Sequence, residues 1–185
     1  DEKDRADIEI LLKEFQSTVI TKVTVQRYFQ LAHLYRNIDD HTNSVLYLRK
    51  IIDYHEVDND LHYISLVFIA KSMINLKKEF MEIEPYLLRA ISLNSNRKEA
   101  YYYLSYIEKN RGNIDEAKVI LEKANLLTYS HPDFRFWEEH IYLWRIKYDL
   151  SILYYQQKNF YKAKALIKEL ILEKNVPQIE QGFLE

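Results

Sequence analysis

Apolar residues recur along this chain at helical spacing, and one local pattern comes round four times. Leu31-Ala32-His33-Leu34-Tyr35, Ile69-Ala70-Lys71-Ser72-Met73, Leu104-Ser105-Tyr106-Ile107-Glu108 and Leu150-Ser151-Ile152-Leu153-Tyr154 each set a small residue directly after a large aliphatic one. A second helical pattern follows, with small or apolar residues at matching offsets: Ala117, Leu121 and Ala124 after the third stretch, Ala163, Ile167 and Leu170 after the fourth. This periodicity predicts a leading helix over 3–16, with Ile8, Leu11, Leu12 and Phe15 on one face. It then predicts hairpins pairing 24–37 with 41–55, 60–77 with 80–93, 97–111 with 114–128 and 136–158 with 160–174. Asn96 reads as the N-cap of the third hairpin. Pro85 has no N–H to give to a helical ladder, so its helix is expected to begin near Glu84 with the ring in the first turn. Pro132 stops the helix before it and biases His131 toward an extended backbone. The unbroken apolar run Tyr63 to Ala70 reads as a buried helix segment, and the end from Asn175, above all 179–185, as a loose tail.

The small residues Ala32, Ala70, Ser105 and Ser151 stand 38, 35 and 46 positions apart. A helical hairpin repeating at about 34 residues with such small anchors is the tetratricopeptide signature, and the chain resembles that family. The resemblance implies an all-α fold: a right-handed superhelical solenoid of about four hairpins plus a leading helix, one domain over 1–178. Such a hairpin cannot bury its apolar face alone, so hairpins stack and leave a concave side open for binding. The consensus tryptophan-rich start, small glycine and closing proline are mostly replaced. The third hairpin keeps a turn glycine, Gly112, and the widest gap holds Thr128 to Arg135.

Composition narrows the alternatives. Two glycines and three prolines in 185 residues starve the chain of the turns that many short strands would need. Sixteen tyrosines and eight phenylalanines supply much of the packing volume. A formal net charge of −2 with interspersed signs favours neither nucleic acid nor an acidic membrane surface. Absent cysteine excludes disulfides, thiolate metal sites and cysteine nucleophiles, and makes the cytoplasm the default expectation. No run approaches the roughly 20 apolar residues that span a bilayer. Asp1-Glu2-Lys3-Asp4-Arg5 has neither an initiator methionine nor a signal-peptide apolar region behind it, and Leu184-Glu185 resembles a cloning scar, so a piece of a longer protein is expected.

The order of motifs is similar to one arrangement in particular. Leu11-Leu12-Lys13-Glu14, then Leu31-Ala32-His33-Leu34-Tyr35-Arg36, then Arg89-Ala90-Ile91-Ser92-Leu93 open the series. Lys98-Glu99-Ala100-Tyr101-Tyr102-Tyr103-Leu104-Ser105, Phe136 to Arg145, and Leu150 to Tyr155 with Pro177 beyond complete it. In that order, over about residues 10 to 178, they resemble the helical tails of family-two glycosyltransferases. The nucleotide-sugar domain of those enzymes is missing from this sequence. The resemblance implies a non-catalytic tail that positions an acceptor or mediates assembly.

Chemistry within the chain finds little footing. Asp58-Asn59-Asp60 matches the Asp-x-Asp of such glycosyltransferases, but that motif follows a buried strand, whereas here it lies between helices and suits a helix cap. His55, Glu56, Asp58, Asp60 and His62 have metal-ligating chemistry, yet their loose spacing favours a solvated turn. His131 and His140 flank the insertion near Asp133, Glu138 and Glu139, and the last two point about 100° apart on one helix. Gly-rich phosphate loops, Gly-x-Ser-x-Gly and His-Glu-x-x-His are absent from the sequence. The expectation is a chain without catalysis, cofactor or metal. Trp137 and Trp144, seven residues apart, share a face and are expected to pack against the preceding hairpin, or to dock a catalytic domain.

Binding is the more promising reading. By resemblance, the first helix of each hairpin lines the groove, which selects Phe29, His33 and Arg36, then Lys71, then Tyr102, Tyr106 and Lys109, then Arg145, Tyr148 and Tyr155. Amphipathic rings and long cations suit a protein or peptide, or a glycan acceptor, through stacking and charge-assisted hydrogen bonds. Self-association is a further expectation, as is a free-standing adaptor that holds a protein segment in the groove.

Overall fold

The computed structural model describes residues 2–14, 21–54, 56–128 and 138–173. Among these residues the fold is all-α, with nine α-helices and one π-helical turn. Helix α1 (Glu2–Glu14) leads. Four hairpins follow: α2 (Lys22–Asn37) with α3 (His41–Ile52), α4 (Asn59–Asn75) with α5 (Phe80–Leu93), α6 (Glu99–Asn110) with α7 (Ile114–Leu126), and α8 (Ile146–Gln156) with α9 (Phe160–Glu173). The π-helical turn, Ile141–Arg145, runs straight into α8. The chain forms two compact units, Asp1–Asn94 and Ser95–Glu185, each holding two hairpins. His55, His131, Trp137 and the tail lie outside the described residues.

In the first unit, α1 packs on α2, α2 on α3, α3 on α4 and α4 on α5. Helix α4 is buried on nearly every side from Tyr63 to Ala70, as its unbroken apolar run predicts. Caps define the starts. Thr21 accepts from Thr24 N at 3.3 Å, Asp40 from Asn43 N at 3.0 Å and Asp58 from Leu61 N at 2.9 Å, each satisfying an orphan donor of the first turn. Asp58-Asn59-Asp60 is therefore a helix start, as its position between helices indicates.

Two boundaries differ from expectation. Pro85 lies inside α5, which begins at Phe80 rather than near Glu84. Burying Ile83 in line with Leu87 and Ala90 requires the earlier turn to be helical, and Met81, whose carbonyl Pro85 leaves without a ladder partner, is exposed. Asn96 is not a cap; α6 begins after Lys98, whose backbone N–H donates to the Tyr142 hydroxyl at 3.1 Å.

All four hairpin turns are built alike. Asp39, Lys77, Gly112 and Lys158 have φ of 59°, 53°, 86° and 59°, the left-handed region. The next residue's N–H then reaches back five residues: Asp40 to Tyr35 O (2.8 Å), Lys78 to Met73 O (3.0 Å), Asn113 to Glu108 O (3.0 Å) and Asn159 to Tyr154 O (2.8 Å). That is the Schellman closure of a helix C-terminus, and only one of the four turns uses glycine.

The second unit has a polar element in its core. Arg97 and Glu99 are wholly buried and form a two-pronged ion pair, Nη2 to Oε1 at 2.7 Å and Nε to Oε2 at 3.3 Å. The Tyr142 hydroxyl donates to the same Glu99 Oε2 at 2.6 Å. Burial and Glu99 push that phenol far above its usual range. Trp144 packs with Leu170 of α9, with Leu143, Tyr148 and Ile167 around it. Trp144 thus packs on its own hairpin, where α9 supplies a facing apolar stripe.

Candidate binding surfaces

In the first unit, Phe29 and Phe68 stack at 5.9 Å with planes 16° apart, and the Arg36 guanidinium sits 3.9 Å from the Phe68 centroid. His33 is exposed on the next turn, its pKa lowered by partial burial and by Arg36, with Asp4 opposing. Lys71, one turn beyond Phe68, is half-buried. Both Arg36 and Lys71 are near enough to His41 to depress it, after the larger effect of burial. Phe29 and Arg36 therefore meet at Phe68, a ring hidden in an all-apolar run, while His33 lies within electrostatic reach of Arg36 and Lys71 within that of His41.

In the second unit, α6 presents Tyr102, Tyr106 and Lys109 along one stripe, and the π-helical turn brings Arg145 to it and α8 brings Asp149. Arg145 Nε donates to Asp149 Oδ2 at 3.2 Å. The Tyr102 hydroxyl lies close to both side chains of that pair. Burial and the Asp149 charge push Tyr102 up to about 12, so it is a neutral phenol at physiological pH. Burial also raises the Asp149 carboxyl, against the pull of Arg145 and Lys109. Arg145 remains one-third exposed while Asp149 is mostly covered. Tyr106 and Lys109 are exposed beside them. The Asp149 carboxylate fixes a guanidinium in place, and the half-buried Glu138 also acts on Tyr102 from this side. Arg145 closes the π-helical turn, an irregularity that often marks functional positions.

Asp149 was not among the residues predicted from sequence. Its four-residue spacing from Arg145 was the available signal, since such pairs face each other on a helix. Tyr148 stays within reach of Arg145, whose guanidinium is 5.8 Å from its ring centroid, while Tyr155 parts from the other predicted residues. Both tyrosines line a crevice of ≈ 420 Å³ between α8 and α9, and Tyr155 meets Phe160 edge-on at 5.3 Å.

Metal and membrane chemistry find no support in the geometry. Among the described residues no group of three His, Cys, Asp or Glu side chains converges as a metal site, and no helix is long and apolar enough to cross a membrane. His62 is instead tied to Arg89, Nη2 to Nε2 at 2.9 Å. His55 lies outside the described residues.

Comparison with known proteins agrees with the hairpin geometry. Residues 25–55 and 98–131 match the family model of the tetratricopeptide repeat. No curated protein sequence matches the chain. Among solved structures, it is similar to MamA from Desulfovibrio magneticus RS-1, at 12% identity and TM-score 0.68 over 92% of this chain and 85% of that one. BtubC from P. vanneervenii matches at 18% identity and TM-score 0.70, over 90% of this chain and 69% of that one. YrrB, a TPR protein with an unusual peptide-binding site, matches at 18% identity and TM-score 0.59, over 93% and 78%. At these identities the likeness is one of fold. The hairpin fold is therefore the one those structures share, with residues 25–55 and 98–131 matching the repeat itself.

Proposed function

We propose that this chain is a non-catalytic interaction module that holds a protein segment on the α6/α8 face of its second unit. The observation that carries this reading is Arg145, held by Asp149 yet still reaching solvent, on the face that also exposes Tyr106 and Lys109. A pre-ordered guanidinium beside an exposed ring and an ammonium suits a peptide with a carboxylate and an apolar or aromatic neighbour. YrrB, with its peptide-binding site, is a precedent for peptide recognition on this fold.

Whether the module stands alone as an adaptor or forms the tail of a family-two glycosyltransferase is a finer question. The order of sequence motifs supports the tail, with a glycan or protein acceptor as cargo. The tetratricopeptide match and the proteins named above support a protein-binding module in either setting. A cytoplasmic location and self-association stay proposals of the same kind.

The test is a displayed peptide library selected on the full chain, followed by titration of the selected peptides against Lys109→Glu and Tyr106→Ala. Acidic peptides should emerge, and each variant should weaken them about tenfold, the scale of one charge-assisted hydrogen bond. Selected peptides that bind both variants as tightly as the original would remove the α6/α8 face from consideration.

A further inference from the structure

The crevice between α8 and α9 is a second surface. Its floor is Ser151 and Ala163, and its walls include Ile152, Tyr155, Phe160 and Ile167. Ser151 and Ala163 have counterparts in the third hairpin, Ser105 and Ala117, and in the first, Ala32 and Ser44. The correspondence extends to geometry. Ser105 Oγ donates to Tyr102 O at 2.7 Å, and Ser151 Oγ donates to Tyr148 O at 2.7 Å. In the first and third hairpins these small residues are buried and the next helix packs on the hairpin, α4 on α3 and α8 on α7. In the fourth, Ser151 and Ala163 are buried as well but line an apolar crevice. The fourth hairpin exposes Tyr155, Phe160, Tyr161, Ile171 and Leu172.

Charge says what kind of helix belongs there. None of the side chains lining the crevice is acidic, and Lys164 stands on its rim. Lys168 is exposed one turn further along α9. Among the described residues, neither lysine is paired with a carboxylate. We infer that the α8/α9 crevice is a docking seat for an acidic amphipathic helix of a partner protein. Its apolar stripe lies between Tyr155 and Ile167, and its carboxylates meet Lys164 and Lys168. The mode is helix-in-groove recognition, with anchors spaced three and four residues apart. Tyr148 borders both this seat and the α6/α8 face, but the variants at Tyr155, Lys164 and Lys168 leave Arg145, Tyr106 and Lys109 unchanged, so the two readings are tested separately.

The probe is a capped helical peptide of about 18 residues, long enough to be partly helical alone, with leucines at i, i+3, i+7 and i+10 and glutamates flanking them. A second probe carries lysine in place of each glutamate. The full chain should bind the glutamate probe at least tenfold more tightly than the lysine probe. The double variant Lys164→Glu/Lys168→Glu should reverse that preference, and Tyr155→Glu should weaken binding at least tenfold. Tyr155 and both lysines are exposed, so these variants leave the core intact, which helical circular dichroism checks. Equal affinity for the two probes, no binding, or binding indifferent to Tyr155→Glu would overturn the proposal. So would binding that appears only when residues 174–185 are removed, since the chain's own end would then hold the seat. Self-association abolished by Tyr155→Glu, without probe binding, would assign the seat to a second copy and overturn it likewise.

Discussion

Arginine can only donate, so the 2.9 Å contact from Arg89 Nη2 requires His62 Nε2 to be an unprotonated acceptor. Burial first, and Arg89 second, lower the His62 pKa below its ordinary 6.5. His33 and His41 are lowered too, again chiefly by burial. As pH falls through 6.5 the unfolded chain takes up these protons before the folded one does. The stability they represent is present above that value and lost as pH falls through the folded values. Urea midpoints should therefore be lower at pH 5 than at pH 7.5, and His62→Gln, which keeps an acceptor, should flatten that slope. An unchanged slope in the variant would show that His62 is not one of the groups responsible. No sequence pattern signalled the Arg89 contact, because its two residues come from different helices of one hairpin. Residue identity was legible; its partner was not.

Helices were the most legible level, and their ends the least. Small-residue anchors located every hairpin, yet the turns hide a regularity that composition obscures. Asp39, Lys77 and Lys158 adopt the same left-handed turn as Gly112 without being glycine. A side chain in that region costs about 1–2 kcal/mol, which the Schellman hydrogen bonds and hairpin packing offset. A Cβ added at Gly112 meets nothing within 4 Å, so the backbone alone sets the cost of substitution there. Gly112→Ala should therefore destabilise by about 1 kcal/mol, and Lys77→Gly should stabilise by a similar or smaller amount, read from denaturant midpoints at constant m-value. No loss in Gly112→Ala would mean that the turn relaxes. Pro85 makes the complementary point: a rule about local hydrogen bonding gave way to the burial of Ile83.

At the scale of the molecule, each unit is organised around what its hairpins bury, and the second is organised around a charge pair. Arg97→Met would leave Glu99 buried beside Tyr142 without its counter-charge, a change that costs about 3–5 kcal/mol. Amide protection across α6 to α8 should fall accordingly, and unchanged protection would show that the pair does not hold these helices together. Sequence alone determined the all-α class, the four hairpins and the absence of thiol chemistry, because helical period and small-residue spacing are properties of neighbours along the chain. It also nominated the candidate groove residues, since their stripe follows from the same period. Tertiary structure decided which of them meet: it brought Asp149 and Tyr102 to Arg145 and sent Tyr148 and Tyr155 to the α8/α9 crevice. It also paired Arg97 with Glu99 out of water, though adjacent charges in a sequence read as a wet surface. Desolvation and the convergence of separate helices depend on the packed arrangement as a whole, and no local pattern encodes them.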